Sequence, residues 1–313
     1  MTAPAPTTAF VLGGGGVLGA THVGMLSALM SRGITPDIVV GTSVGAINGA
    51  FVAADPGLHT VGRLERLWTE VTERGVLLEN PVRQAARFAR SRTHLVSADP
   101  LREILETHLP VTHIENLVVP FQCVAAEIEG SRSRWFDEGP LVGPILASCA
   151  VPGLFAPVEI DGLHYLDGGL VHSIPVGRAL QLGARRVFVL QVGRVENRLE
   201  PPKTPWELGL VAFEIVRRHR FVEEIEAVPD DVELPSISHH GSASARTVVI
   251  SPMSAYMVPL QATLLERPLA VASAPSLDRR IVMYSGEGTD LGTFGWDEES
   301  LPALVLTSDA EDM

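Results

Sequence analysis

The sequence predicts an α/β fold in which a mostly parallel sheet is covered by helices on both faces. Two observations carry this expectation. The apolar run "TTAFVL" passes through four glycines into a helical stretch from Val17 to Arg32, and "DIVV" passes through "GTSVG" into the apolar helix "VGAINGAFVAA". A strand, a tight turn and a helix, twice in succession, is the rhythm of parallel strands joined by crossover helices. The strands are also short unbroken apolar runs, as expected of strands buried on both faces.

The remaining elements follow in order. "HTVGRLERLWTEVTE" and "ADPLREILETHL" each carry an apolar stripe opposite a polar face and read as amphipathic helices. Strand signals return at "VVPFQCVAAEI", "SRWFDEG" and "FAPVEIDGLHYLDGG". "PVGRALQLG" is a short helix with proline at its start, and "ARRVFVLQVGR" is another buried strand. "PWELGLVAFEIVRRHRFVEEIEAV" is an amphipathic helix whose "RRHR" reads as one solvated turn. Residues 8–228 form the expected main domain. No sustained period shows from Leu234 to Met313, and residues 229–313 are either part of that domain or a partly disordered tail.

Composition narrows the function. The 313 residues are 46% hydrophobic, enough for a sizeable core, and carry a net charge of -13. That balance argues against nucleic acid as an electrostatically attracted partner. The first 31 residues hold no charged side chain, yet "MTAPAPTTAF" lacks the positive segment of a secretory signal. A spanning helix there would have to run through Gly13 to Gly16. The expectation is a cytoplasmic protein with two buried thiols, Cys123 and Cys149. No Cys/His spacing suggests a metal, and the "HH" at His239 and His240 reads as solvated loop.

Three motifs carry chemistry. "GTSVG", Gly41 to Gly45, matches the elbow that puts a nucleophilic serine, here Ser43, on a sharp strand-to-helix turn. Its bland reading is a packing turn. The run Gly13 to Gly16, with Gly19 three residues on, can converge backbone N–H groups on a developing oxyanion in front of a helix N-terminus. The same run fits G-x-G-x-x-G, so a dinucleotide site with Asp37 as the acidic partner is the rival. The third motif is Asp167, followed by Gly168 and Gly169 in "YLDGG", either a base or a plain turn aspartate. A histidine triad would draw on His172, His219, His239 or His240.

In this order and at these separations, "GGGVLG", "GTSVG" and "DGG" resemble the patatin-like phospholipases, and "ASCAVPGLFAPVEIDGLHYLDGGLVHSIPV" is similar to that family's approach to its aspartate. The resemblance runs from about Ala9 to Ala227. It implies a patatin-like three-layer α/β/α fold and a Ser–Asp dyad without histidine. Ser43 would attack an ester carbonyl, Asp167 would take its proton, and the N–H groups of Gly14, Gly15 and Gly16 would bind the oxyanion. Gly19, Gly41, Gly45, Gly168 and Gly169 would support the motifs. The partner implied is a lipid or acyl-ester substrate, with peripheral membrane contact compatible with it, and no cofactor or metal is needed. A non-catalytic lipid- or nucleotide-binding module on the same scaffold is the alternative. One departure stands out: the family often has Arg or Lys where this chain has Leu18.

Overall fold

The structure of the protein, a computed structural model, describes residues 7–76, 87–91, 93–192, 199–227, 248–250, 279–284 and 290–296. At its centre β1 (Thr8–Leu12) and β2 (Ile38–Thr42) lie side by side in parallel, buried along their whole length. β3 (Phe121–Glu127) continues the sheet beyond β2, again parallel and fully buried. Three antiparallel strands finish that side: β4 (Arg132–Phe136) and β6 (Leu163–Asp167) on β3, and β5 (Val158–Ile160) on β6. On the other side of β1 come β7 (Arg186–Leu190) and β8 (Val248–Ile250), both parallel. The sheet order is β5-β6-β3-β2-β1-β7-β8, with β4 branching from β3. β9 (Arg279–Tyr284) and β10 (Asp290–Trp296) form a separate antiparallel pair.

Helices flank the sheet as the strand–turn–helix rhythm predicts. They are α1 (His22–Met30), α2 (Val44–Ala54), α3 (Leu58–Glu73), α4 (Asp99–His108), α5 (Val142–Ser148), α6 (Val176–Gln181) and α7 (Pro205–Glu226). The wholly apolar α2 is buried from Val44 to Ala53 and packs on β1, β2 and β3. The amphipathic α3 and α4 turn Leu64, Leu67, Trp68, Leu101, Ile104 and Leu105 inward. No helix among the described residues is long and apolar enough to cross a membrane.

Three details depart from the sequence pattern. The first helical stretch is split, with a 3-10 segment at Gly16–Thr21 before α1. That tighter path lets Gly19 sit so close to α2 that a Cβ there would lie 1.9 Å from Val44 Cγ2. Helix α5 has no counterpart in the sequence pattern, because seven residues containing Gly143 and Pro144 show no period. β8 brings a strand from the C-terminal region into the central sheet; three residues are too few to announce themselves.

The register around β3 brings two distant strand ends together. Val124 pairs with Thr42 of β2, and the next residue, Ala125, pairs with Asp167 of β6. β4 pairs with Cys123 to Glu127, overlapping both, so β4 takes one edge of β3 while β2 and β6 share the other. β2 runs along β3 and β6 runs against it, so their C-terminal ends meet head-on. The residue after Thr42 is Ser43, and the last residue of β6 is Asp167.

Close backbone approach makes one glycine here irreplaceable and leaves another optional. A Cβ on Gly45 would lie 2.0 Å from the Leu12 carbonyl oxygen, whereas one on Gly24, inside α1, would meet nothing within 4 Å. Gly45→Ala is therefore expected to destabilise the fold by on the order of 3 kcal/mol. Gly24→Ala should stabilise it by about 0.5–1 kcal/mol through helix propensity. Urea unfolding of the two variants checks the opposite signs.

Candidate active site

Ser43 stands between β2 and α2 with φ 55° and ψ -127°, a conformation that non-glycine residues rarely adopt. Such strain costs about 1–3 kcal/mol and persists only where neighbours over-determine it. Here they do. The Ser43 N–H donates to Ser148 Oγ at 2.8 Å, and its carbonyl accepts from Ala46 N at 2.8 Å. Thr42 Oγ donates to the His172 carbonyl at 2.9 Å, tying the turn to the loop after β6. A Cβ on Gly41 would lie 2.4 Å from the Gly45 carbonyl oxygen, so the elbow closes only with glycine on that side. The N-terminus of α2 begins directly beneath the hydroxyl and adds partial positive charge.

The Ser43 hydroxyl donates to Asp167 Oδ2 at 2.7 Å, and both side chains are buried. Asp167 Oδ1 accepts the Gly169 N–H at 2.7 Å, and the Asp167 N–H donates to the Ala150 carbonyl at 2.9 Å. Gly168 passes so near β3 that a Cβ would lie 2.2 Å from the Val124 carbonyl oxygen. Burial raises the Asp167 pKa to about 6; the hydrogen bonds from Ser43 and Gly169 and the charge of Arg217 pull it back toward the usual range. The neighbouring Cys149 thiol is held well above its ordinary value by burial first, then by the Asp167 charge. It stays protonated, and Cys123 and Cys149 are both free and buried.

The glycine loop follows β1 and faces this pair. The Gly13 N–H continues the sheet to the Leu190 carbonyl at 3.0 Å, and the Gly14 N–H goes to the Ser173 carbonyl at 3.3 Å. Among the described residues the N–H groups of Gly15 and Gly16 have no acceptor. A Cβ on Gly14 would lie 3.2 Å from Ser43 Cβ, so the loop rests directly against the hydroxyl residue. Of the three glycines expected to face an oxyanion, Gly14 thus has its amide engaged within the fold. Leu18 packs half-buried against the hydrophobic core.

Beside Ser43 opens a cavity of about 60 Å³ walled by Gly16, Val44, Ile47, Leu67, Trp68, Val71, Leu101, Cys149, Val151, Leu154 and Phe155. Its walls are apolar throughout. Ser43 itself is only 6% exposed.

The far end of the loop is held by a buried polar network that sequence reading missed. Trp68 Nε1 donates to Asn48 Oδ1 at 3.0 Å, and Asn48 Nδ2 donates to the Gly19 carbonyl at 2.8 Å and to His22 Nδ1 at 2.9 Å. The remaining ring nitrogen, Nε2, then carries the proton that His22 donates to the Leu190 carbonyl at 3.0 Å. Burial lowers the His22 pKa to about 4, so the ring is neutral. Ser148 was equally hidden, lying in the patternless α5.

Other candidates have different occupations. His172 Nδ1 pairs with Glu224 Oε1 of α7 at 2.5 Å, and His219 is exposed and lies 3.3 Å from Glu223. His239 and His240 lie outside the described residues. Asp37 sits at the opposite end of β1 from the glycines, where its carboxylate accepts the Thr8 N–H at 2.7 Å. The "RRHR" turn is not uniformly solvated, because Arg217 is buried. Among the described residues no group of His, Cys, Asp and Glu could hold a metal ion.

With this geometry in view, residues 10–180 match the family model for patatin-like phospholipase, more than half of the chain. An NTE family protein of Mycobacterium tuberculosis is 37% identical over 175 residues, 55% of this chain and 45% of that one. Lysophospholipase NTE1 of Mycosarcoma maydis is 32% identical over 195 residues, 60% of this chain and 10% of that one. Patatin-like phospholipase domain-containing protein 6 of Mus musculus is 31% identical over 193 residues, 60% and 14% of the two chains. The matched stretch thus spans less than half the length of these curated relatives. Among solved structures, VipD from Legionella pneumophila aligns with a TM-score of 0.39 at 14% identity, over 77% of this chain and 58% of that one.

Two buried groups make stability depend on pH in opposite directions. Asp167 titrates higher in the fold than its ordinary 3.8, so the folded state binds more protons and stability falls as pH rises from about 4 to about 6. His22 titrates lower than its ordinary 6.5, so stability falls as pH drops from 6.5 to about 4. Asp167→Asn removes the first slope and can keep both hydrogen bonds, with its amide donating to Ser43 Oγ. It is expected to be more stable than wild type by about 3 kcal/mol at pH 8, the gap closing toward pH 4. Urea unfolding of both proteins across that range measures it.

Proposed function

The chain belongs to the patatin-like phospholipase family, and from that premise we propose that it is a serine acyl hydrolase cleaving carboxylic esters of lipids through a Ser43–Asp167 dyad. The observation that carries the reading is the 2.7 Å hydrogen bond from the Ser43 hydroxyl to a buried carboxylate, at a strained elbow beside an apolar cavity.

In this reading the carbons of the acyl chain next to the ester enter the apolar cavity and bring the carbonyl carbon to Ser43 Oγ. Asp167 takes the hydroxyl proton as Oγ bonds to carbon, and the carbonyl electrons move onto oxygen. The N–H groups of Gly15 and Gly16, with the α2 N-terminus, stabilise that oxyanion; one such donor is typically worth ~2.7–4 kcal/mol. The tetrahedral species collapses to an acyl-serine, and Asp167 returns its proton to the departing alkoxide. Water then attacks the acyl-serine with Asp167 again as base, releasing a fatty acid and restoring the hydroxyl. A carboxylate titrating near 6 is ionised at neutral pH yet basic enough to take a proton in the transition state.

The substrate class follows from the walls. The apolar cavity next to the nucleophile has room for the first few carbons of an acyl chain, and the similarity to the lysophospholipase of Mycosarcoma maydis makes single-chain phospholipids the first to try. Contact with a lipid surface belongs to the same proposal.

The test combines turnover with labelling. Wild type should hydrolyse p-nitrophenyl acyl esters and lysophospholipid, and a fluorophosphonate should label Ser43. Ser43→Ala and Asp167→Asn should each lose at least about 10³-fold in kcat. His172→Gln should stay within about threefold, since its ring serves Glu224. Full activity in either dyad variant would reject the mechanism, and unlabelled protein with tight nucleotide binding would favour a binding module.

A further inference from the structure

Arg217 is the buried cation of α7, with its side chain 3% exposed. It lies on one face of the helix with Phe213, Phe221 and Glu224, at intervals of four, four and three residues, which share a side. That face meets the site. Phe213 lies against Gly169, where an added Cβ would be 3.1 Å from its ring, and Glu224 holds His172. A buried guanidinium is tolerated only when its donors are matched. Glu214 takes Nε at 2.9 Å and Nη2 at 2.7 and 2.8 Å, and Nη1 reaches the Gly14 carbonyl oxygen at 3.4 Å.

That last contact matters because the peptide unit is planar and trans. The Gly14 carbonyl and the Gly15 N–H belong to one plane and point in opposite directions, so fixing one aims the other. A run of four glycines has little orientation of its own. Gly14 is instead fixed from outside: by Ser173 at its N–H, by Ser43 against its Cα, and by Arg217 at its carbonyl. We propose that Arg217 is a positioning residue for the hydrolysis, aiming the Gly15 amide hydrogen at the oxyanion through the Gly14 carbonyl. A cation on that carbonyl also polarises the peptide and strengthens the N–H as a donor. The charge reaches the loop from a helix about 200 residues later in the chain. The inference rests on the hydrolase reading.

The experiment compares wild type, Arg217→Gln, Arg217→Lys and, as a control on an exposed neighbour, Arg220→Gln. Arg217→Gln should lose about 10–100-fold in kcat, short of the full loss of a donor, with KM changed by less than about threefold. Affinity for a trifluoromethyl ketone, which forms a tetrahedral adduct on serine, should fall by the same factor, while affinity for a fatty alcohol of the same chain length, which carries no oxyanion, holds. Arg217→Lys should lose less with the same signature, and it is the variant to read if Arg217→Gln does not fold. Arg220→Gln should match wild type. Wild-type kcat and ketone affinity in the Arg217 variants, or equal losses for ketone and fatty alcohol, overturn the proposal. An inert wild type overturns the hydrolase reading and this one with it.

Discussion

The arrangement depends on one shared edge. β2 and β6 approach each other along the same side of β3, one parallel and one antiparallel, and stop at adjacent registers, Val124 opposite Thr42 and Ala125 opposite Asp167. Two residues 124 positions apart are thereby delivered to hydrogen-bonding distance by backbone pairing alone, before any side chain is placed. A mixed sheet is the means, since a wholly parallel one would end its strands side by side rather than face to face. The glycines around the junction are consequences of it. Where strand ends, loop and helix start crowd within 2.0–2.4 Å of a would-be Cβ, as at Gly41, Gly45 and Gly168, no other residue fits.

Around that junction the fold sets burial against compensation. Asp167 is taken out of water, which favours its protonated form, while Ser43, Gly169 and Arg217 favour the ionised form. The outcome lies between the two, a carboxylate that is charged at neutral pH but readily protonated. Such a group works against folding, as the strained Ser43 backbone also does. The surrounding core supplies what these features cost: α2 is buried over ten residues, and the Trp68–Asn48–His22 chain satisfies its own polar atoms while holding Gly19 in place.

Much of this was legible in the sequence, and the exceptions share a cause. The parallel core was readable because strands buried on both faces are unbroken apolar runs, and the motifs because steric crowding demands glycine at fixed offsets. Arg217 was not, since a basic run reads as solvated unless its helical face is followed through Phe213, Phe221 and Glu224. Ser148 lay in a helix too short to show a period. Asn48 and His22 sit in apolar stretches where a polar residue is revealed as a network member only by its distant partners, Trp68 and the Leu190 carbonyl. The head-on ending of β2 and β6 is a property of register, which local pattern does not encode. The C-terminal strand β8 joins the sheet with three residues and left no signal.

The central claim is that a buried carboxylate, not a histidine, activates the hydroxyl. The rate at which a fluorophosphonate modifies Ser43, followed from pH 4 to pH 9, reports the base of the free protein directly. The account predicts a single rise with an apparent pKa of about 6, absent in Asp167→Asn and retained in His172→Gln. An unchanged profile in Asp167→Asn would contradict it.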